Sequence, residues 1–124
     1  MDHAPDHDRL AAIARANDLA RCGGDPDACI VITRNCLAAI GGLGDEAEGA
    51  GDSLALRQDL LAAFRDCSFA ADCPERDFAE IHFRGLRVWL KIDCYDRDLV
   101  WGSPDPADPA VTRRVVTILL PEDY

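Results

Sequence analysis

The stretch "DFAEIHFRGLRVWLKIDCYD", Asp77 to Asp96, constrains the fold more than any other part of the chain. Two runs rich in β-branched and aromatic residues flank a glycine, the pattern of two strands joined by a tight turn. With Gly85 and Leu86 as the turn residues, Gly first, Phe83 faces Val88, His82 faces Trp89, Ile81 faces Leu90 and Ala79 faces Ile92. Side chains alternate across a strand, so Ala79, Ile81, Phe83, Val88, Leu90 and Ile92 share one face. Phe78, Glu80, His82, Trp89, Lys91, Asp93 and Tyr95 share the other. Glu80 then opposes Lys91, a favourable cross-strand charge pair. Only the Arg84–Arg87 end is left unexplained, and a one-residue slip would mix the two faces.

The remaining elements follow from local pattern. "RRVVTILLPE" is an apolar strand able to return antiparallel beside "WLKID", and "ACIVITR" (28–34) is a short β-branched strand. "DHDRLAAIARANDLARCGG" reads as a helix capped by Asp6 or Asp8 and stopped at Gly23-Gly24. Its inward stripe is Leu10, Ile13, Ala14, Asn17 and Ala20 or Arg21, with Asn17 the polar member. "NCLAAIGGLGDEAEGAGD" gives a turn or short helix, then a Gly-rich loop carrying Asp45, Glu46, Glu48 and Asp52 with no basic residue. "DSLALRQDLLAAFRDCS" is the second helix, capped by Asp52 or Ser53, with Leu56, Leu60, Ala63, Phe64 and Cys67 on its apolar face. Residues 1–7 read as a disordered tail and 8–124 as a single α+β domain. The expected architecture is two helices packed on one face of a mainly antiparallel four-stranded sheet.

Charge narrows the function classes. The net charge is -10, with about -6 of it over residues 1–52. Affinity for nucleic-acid backbones comes from neutralising phosphates with Lys and Arg, so direct nucleic-acid binding is not expected. A basic protein partner is, because complementary potentials raise association rates; the bland alternative is a surface that keeps the chain soluble. No apolar run is long enough to span a membrane, and "MDHAPDHDRL" lacks the basic start and apolar stretch of a signal peptide. The expected location is cytoplasmic. Cys22, Cys29, Cys36, Cys67, Cys73 and Cys94 form no C-x-x-C pair and read as free thiols. No metal or cofactor is expected.

Five aspartates crowd about sixteen residues from the end of the hairpin's second strand onward: Asp93, Asp96, Asp98, Asp105 and Asp108. They do not match a calcium loop, which needs alternating ligands, a central Gly and a terminal Glu. Asp77, Asp93 and Asp96 could meet at one sheet edge as a metal-assisted hydrolytic site. The nuclease pattern of an Asp followed by Glu-x-Lys is absent, since Trp89 stands two before Lys91. In "SPDPADPAVT", Asp105 and Asp108 suit turns in which a carboxylate bonds its own backbone, and Asp108-Pro109 suits the start of a helical turn. Asp93 and Asp96 are also placed to pair with Arg113 or Arg114. Ser103 and His82 lack the G-x-S-x-G setting of a nucleophile, Cys94 falls on the apolar parity of its strand, and His3 and His7 are separated by Pro5.

The segment "WLKIDCYDRDLVWGSPDPADPAVTRRVVTILLPEDY" resembles the W-K-I-D-Y-Y-D-x-x-L-x-x-G-S-P-D-P-A-D-P stretch and T-x-R-V-L-T-I-M-L-A-x-E-Y ending of a bacterial family, domain of unknown function 3768. "ARANDLAR" resembles the family's L-N-D segment at Asn17 and Asp18. "IVITRNCLAAI" is similar to its first strand and following turn, and "PERDFAEI" to its E-H-D-F-G segment at Glu75, Asp77 and Phe78. Arg76 stands where the family has His, Ala79 where it has Gly, and Cys94 where it has Tyr. Leu90 is an extra residue between Trp89 and Lys91. The resemblance implies no particular activity. The setting of similar genes, on alphaproteobacterial chromosomes and plasmids among mobile elements, implies a role in plasmid biology or counter-defence.

Together these readings favour a non-enzymatic binding module over an enzyme. Glu80, His82, Trp89, Lys91 and Tyr95 on the hairpin, with Asp45, Glu46, Glu48 and Asp52 in the acidic loop, would engage a basic protein. That protein is expected to be a CRISPR or restriction component, and the chain an inhibitor of the anti-CRISPR or antirestriction type. Two alternatives stay open: a metal-dependent hydrolase built on Asp77, Asp93 and Asp96, and a structural accessory, monomer or homodimer, that pairs through a strand edge.

Overall fold

Five long or medium elements and two short ones build the chain, seen in a computed structural model that describes residues 3–41 and 49–124. In order they are α1 (His3–Cys22), β1 (Cys29–Ile32), α2 (Arg34–Ala39), α3 (Gly49–Arg65), β2 (Phe78–Phe83), β3 (Leu86–Tyr95) and β4 (Arg113–Leu119). A single 3-10 turn, Pro121–Asp123, closes the chain. Both long helices begin upstream of the caps read from the sequence: α1 runs past Asp6 and Asp8, and α3 starts before Asp52 and Ser53. Pro5 sits in the first turn of α1, where a missing N–H leaves no helical bond unmade. The short helix α2 makes three helices rather than two. Its N-cap is Thr33, whose hydroxyl accepts from the Cys36 N–H.

The sheet order is β1-β4-β3-β2. β2 pairs antiparallel with β3, and β3 antiparallel with β4. β1 pairs with β4 in parallel, Cys29 beside Val115 through Ile32 beside Ile118. The sheet is therefore mixed, not mainly antiparallel as expected. Hydrophobic alternation dictates which face a residue takes, but it is blind to the direction of the neighbouring strand.

The hairpin forms with a different turn. Its two turn residues are Arg84 and Gly85, both at positive φ (54° and 82°), the signature of the tight turn whose twist matches the strands. Phe83 pairs with Leu86, Ile81 with Val88, Ala79 with Leu90 and Glu80 with Trp89. The expected partners are thus each displaced by two residues. Because the side-chain period is also two, every residue keeps its face. The expected Glu80–Lys91 pair is lost, and Glu80 opposes Trp89 instead.

The core follows from that alternation. Ala79, Val88, Leu90, Ile92, Val116 and Ile118 join Ala20 of α1, Cys36 and Leu37 of α2, and Leu56, Leu60 and Phe64 of α3 in one buried cluster. Filling such positions contributes roughly 1.5–3 kcal/mol per large side chain. The stripe of α1 is buried as read, at Ile13, Asn17, Ala20 and Arg21.

Arg84 carries a side chain in a left-handed conformation that costs about 1 kcal/mol outside Gly and Asn. Arg84→Asn is expected to stabilise the protein by about 0.5–1 kcal/mol, read as a higher urea midpoint with an unchanged slope. A lower midpoint would show that the Arg84 guanidinium, 5.6 Å from the Phe83 ring, outweighs the backbone strain.

Candidate functional site

Strand residues of the parity opposite to the core form a second surface. On β2 and β3 these are Phe78, Glu80, His82, Arg87, Trp89, Lys91, Asp93 and Tyr95; on β4 they are Arg113, Val115, Thr117 and Leu119. Trp89 stands at the centre. Its ring lies edge-on to Phe78 (centroids 5.2 Å apart) and to Tyr124 (5.9 Å). Such edge contacts suit the ring quadrupoles. The Trp89 indole Nε1–H donates to Glu80 Oε1 at 2.8 Å, and Arg87 donates twice to the same carboxylate. Those bonds from Arg87 and Trp89 hold the Glu80 carboxyl below its ordinary range. Lys91 Nζ reaches Asp93 at 2.9 Å and lies 6.0 Å from the Tyr124 ring centre. A cavity of about 250 Å³ opens between Lys91, Thr117, Asp123 and Tyr124.

Tyr124 is there because the C-terminal turn is latched. Thr33 Oγ1 and Asn35 Nδ2 both donate to the Asp123 carboxylate, at 2.7 and 2.8 Å, and the Leu120 N–H donates at 3.1 Å. Those bonds, Asn35 foremost, hold the Asp123 carboxyl below its ordinary range. Tyr124 as a residue remains 80% exposed.

Of the residues singled out in the sequence, Glu80, Trp89 and Lys91 are brought together. His82 is exposed toward the turn, and Tyr95 lies at the far end of the same face. Asp45, Glu46 and Glu48 lie outside the described residues, and Asp52 falls within α3 with its side chain outside them. Sequence reasoning missed Tyr124 and Arg87. Pro121, which ends β4 and turns the chain back, was the available signal for Tyr124. It also passed over Leu99, Val100 and Trp101, the exposed tip of the turn after β3, where Leu99 takes φ 60° and Trp101 is 74% exposed.

The aspartates have separate fates. Asp77 and Asp93 line one cavity of about 250 Å³ together with Glu75 and Asn17. Asp96 does not join them; its carboxylate caps the following turn by accepting from the Val100 N–H at 3.0 Å. No group of three His, Cys, Asp or Glu side chains among the described residues is placed to hold a metal ion. The expected Asp93 and Asp96 pairs with Arg113 or Arg114 do not form: Asp93 takes Lys91, and Arg113 donates to the Asp27 carbonyl. Asp105 and Asp108 do bond their own backbone, at Ala107 N (3.2 Å) and Ala110 N (2.9 Å), in turns rather than a helix. Burial raises the Cys94 thiol above its ordinary range despite Arg114 nearby, which keeps it protonated rather than nucleophilic.

A polar network lies beneath the Pro loop. Asn17 Nδ2 donates to the Glu75 carbonyl at 2.8 Å, while its Oδ1 accepts from Arg114 Nε at 2.6 Å. Arg21 reaches the carbonyls of Phe64 and Arg65, the unpaired C-terminal groups of α3. Asp18 accepts from both Arg21 and Arg76. Arg76 also stacks on Phe69, 4.3 Å from the ring centre. Burial works against the Asp18 anion, but Arg76 and Arg21 outweigh it and hold the carboxyl below its ordinary range.

Two outcomes follow. Asn17→Leu fills the same space but leaves Arg114 Nε and the Glu75 carbonyl unmatched, and is expected to cost about 2–4 kcal/mol by urea unfolding; a cost below 1 kcal/mol on the same scale would show that the network is dispensable. Asp18 has a depressed folded pKa, so its stabilisation is present above its unfolded value and is lost as pH falls through the folded one. Asp18→Asn is expected to flatten the acid limb of the stability profile, and an unchanged limb would remove Asp18 from that role.

No helix among the described residues is long and apolar enough to cross a membrane. Neither the curated proteins nor the solved structures gave a match. One family model does match, over residues 55–123, more than half of the chain. That stretch holds most of α3, the whole hairpin, the Pro loop and β4, so the chain belongs to the family described as protein of unknown function DUF3768.

Proposed function

We propose that this chain is a small acidic protein-binding module, without catalytic activity of its own, that acts in the cytoplasm on a basic protein. The observation that carries this reading is the Phe78–Trp89–Tyr124 edge-stacked row on the sheet surface turned away from the core. Trp and Tyr anchor protein interfaces because they bury much area with little loss of side-chain freedom. Here the anchors are already ordered, Trp89 by Glu80 and Tyr124 by the Asp123 latch. The net charge of -10 favours a partner rich in Lys and Arg. Six free cysteines suit a reducing compartment. A nucleic-acid-handling defence component, CRISPR or restriction, fits that partner chemistry, and the chain would then act as its inhibitor from a mobile element.

The test is a pull-down with the tagged chain from cells carrying active CRISPR and restriction systems, at low and high salt. The captured protein should be basic, should be released by salt, and should bind Trp89→Ala about tenfold or more weakly. Reversing Asp45, Glu46, Glu48 and Asp52 should slow association more than it speeds release. Capture that is indifferent to both changes, in variants that keep the native circular dichroism, would sink the proposal. Recovery of a second copy of the chain instead would favour pairing through the open edges of β1 or β2.

A further inference from the structure

We propose that the cleft between α1 and the Pro loop binds a small organic monocarboxylate, its anionic head on Arg114 and a short apolar body along the helix. The cleft has a volume of about 370 Å³, at the lower end of the range for small-molecule sites. Ala12, Ala16 and Leu19 of α1 form one wall, and Ala107 and Pro109 the other. The spacing of the three α1 residues puts them on a single helical stripe, next to but distinct from the core stripe. Leu19 is left 55% exposed there.

Arg114 lines the cleft although only 2% of it is exposed. Its two hydrogen bonds go to neutral acceptors, Nε to Asn17 Oδ1 and Nη2 to the Pro106 carbonyl, both at 2.6 Å. Ion pairs among the described residues use six other cations, and none involves Arg114. Glu75, Asp77 and Asp93 line a separate cavity across Asn17. A guanidinium has five N–H groups, so most of those on Arg114 have no partner among the described residues. The one fully buried side-chain nitrogen or oxygen left unbonded among the described residues is Arg21 Nε, so Arg114 Nη1, in a residue that lines the cleft, keeps some accessible surface. A buried cation held by neutral groups alone is costly, and an anion that completes its bonds recovers that cost.

The rim sets the charge of the ligand. Arg15 and Arg97 stand on it with Asp25 and Asp27. Arg97 pairs with Asp27 at 3.1 Å, and Asp25 accepts from the Asp27 N–H. With Arg114 the cleft carries one net positive charge, which suits a single carboxylate and disfavours a dianion.

The test uses the full isotope-labelled chain and amide NMR, with hexanoate, hexanol and inorganic phosphate as probes. Hexanoate should shift the amides of Ala12, Ala16, Ala107 and Thr112 along a saturating curve, and hexanol should bind about tenfold more weakly. Ala16→Trp, which fills the cleft and leaves the Asn17–Arg114 bond intact, should abolish those shifts. Arg114→Gln should reduce hexanoate to the affinity of hexanol. If that variant does not fold, the comparison of the two probes on the unaltered chain still decides the matter. Equal binding of hexanol and hexanoate, preference for phosphate, or hexanoate shifts that survive Ala16→Trp would each overturn the assignment.

Discussion

One buried guanidinium sets the terms for the rest of the molecule. Arg114 enters the interior from β4, where the strand parity points it toward α1, and it brings a charge into a position where only 2% of the residue is exposed. Its neighbours must supply acceptors. Asn17 does so from α1, and the Pro106 carbonyl does so from the Pro loop. The helix near the start of the chain is thereby held to a strand and loop almost a hundred residues away, at a common centre. Such networks are worth most when every member is bonded. That explains why the loop around Pro106 is itself so heavily bonded: Ser103, Thr112 and Asp105 lock onto one another within it.

The same strand logic that turns Arg114 inward leaves a second surface facing the other way. No α-helical residue is itself a member of the Phe78–Trp89–Tyr124 row. It is completed by the last residues of the chain, which Asp123 ties to the N-cap of α2. Thr33 serves both ends of this arrangement, accepting from the Cys36 N–H and donating to Asp123. The start of α2 and the placement of Tyr124 are therefore one structural event. The acidic character of the chain and this ordered aromatic row are what a basic partner would meet. The Arg114 cleft is independent of that surface and asks for a far smaller ligand.

Much of this is legible in the sequence. Asn17 stood out as a polar residue in an apolar helical stripe, and it is the buried bridge of the polar network. The two faces of the hairpin were right although its register was displaced by two residues, because a shift of two preserves parity. The turn itself was misplaced. The sequence pattern puts Gly85 in the first position, whereas Arg84 takes it with a positive φ that an arginine seldom adopts. The aspartates of the Pro loop bond their own backbone, as their spacing between prolines suggested. Their upstream relatives do not meet at a single edge, since Asp96 turns to its own loop and Asp93 to Lys91.

Local chemistry in the sequence determined where strands and helices form, which side chains point inward, and how the Pro loop is braced, because each depends on neighbours within a few residues. Tertiary structure alone decided that β1 runs parallel to β4, that Arg114 finds neutral partners instead of a carboxylate, and that Tyr124 returns to cover Trp89. Those outcomes join residues tens of positions apart. Period and propensity carry no information about which distant strand becomes a neighbour, in which direction it runs, or which acceptor is within reach of a buried charge.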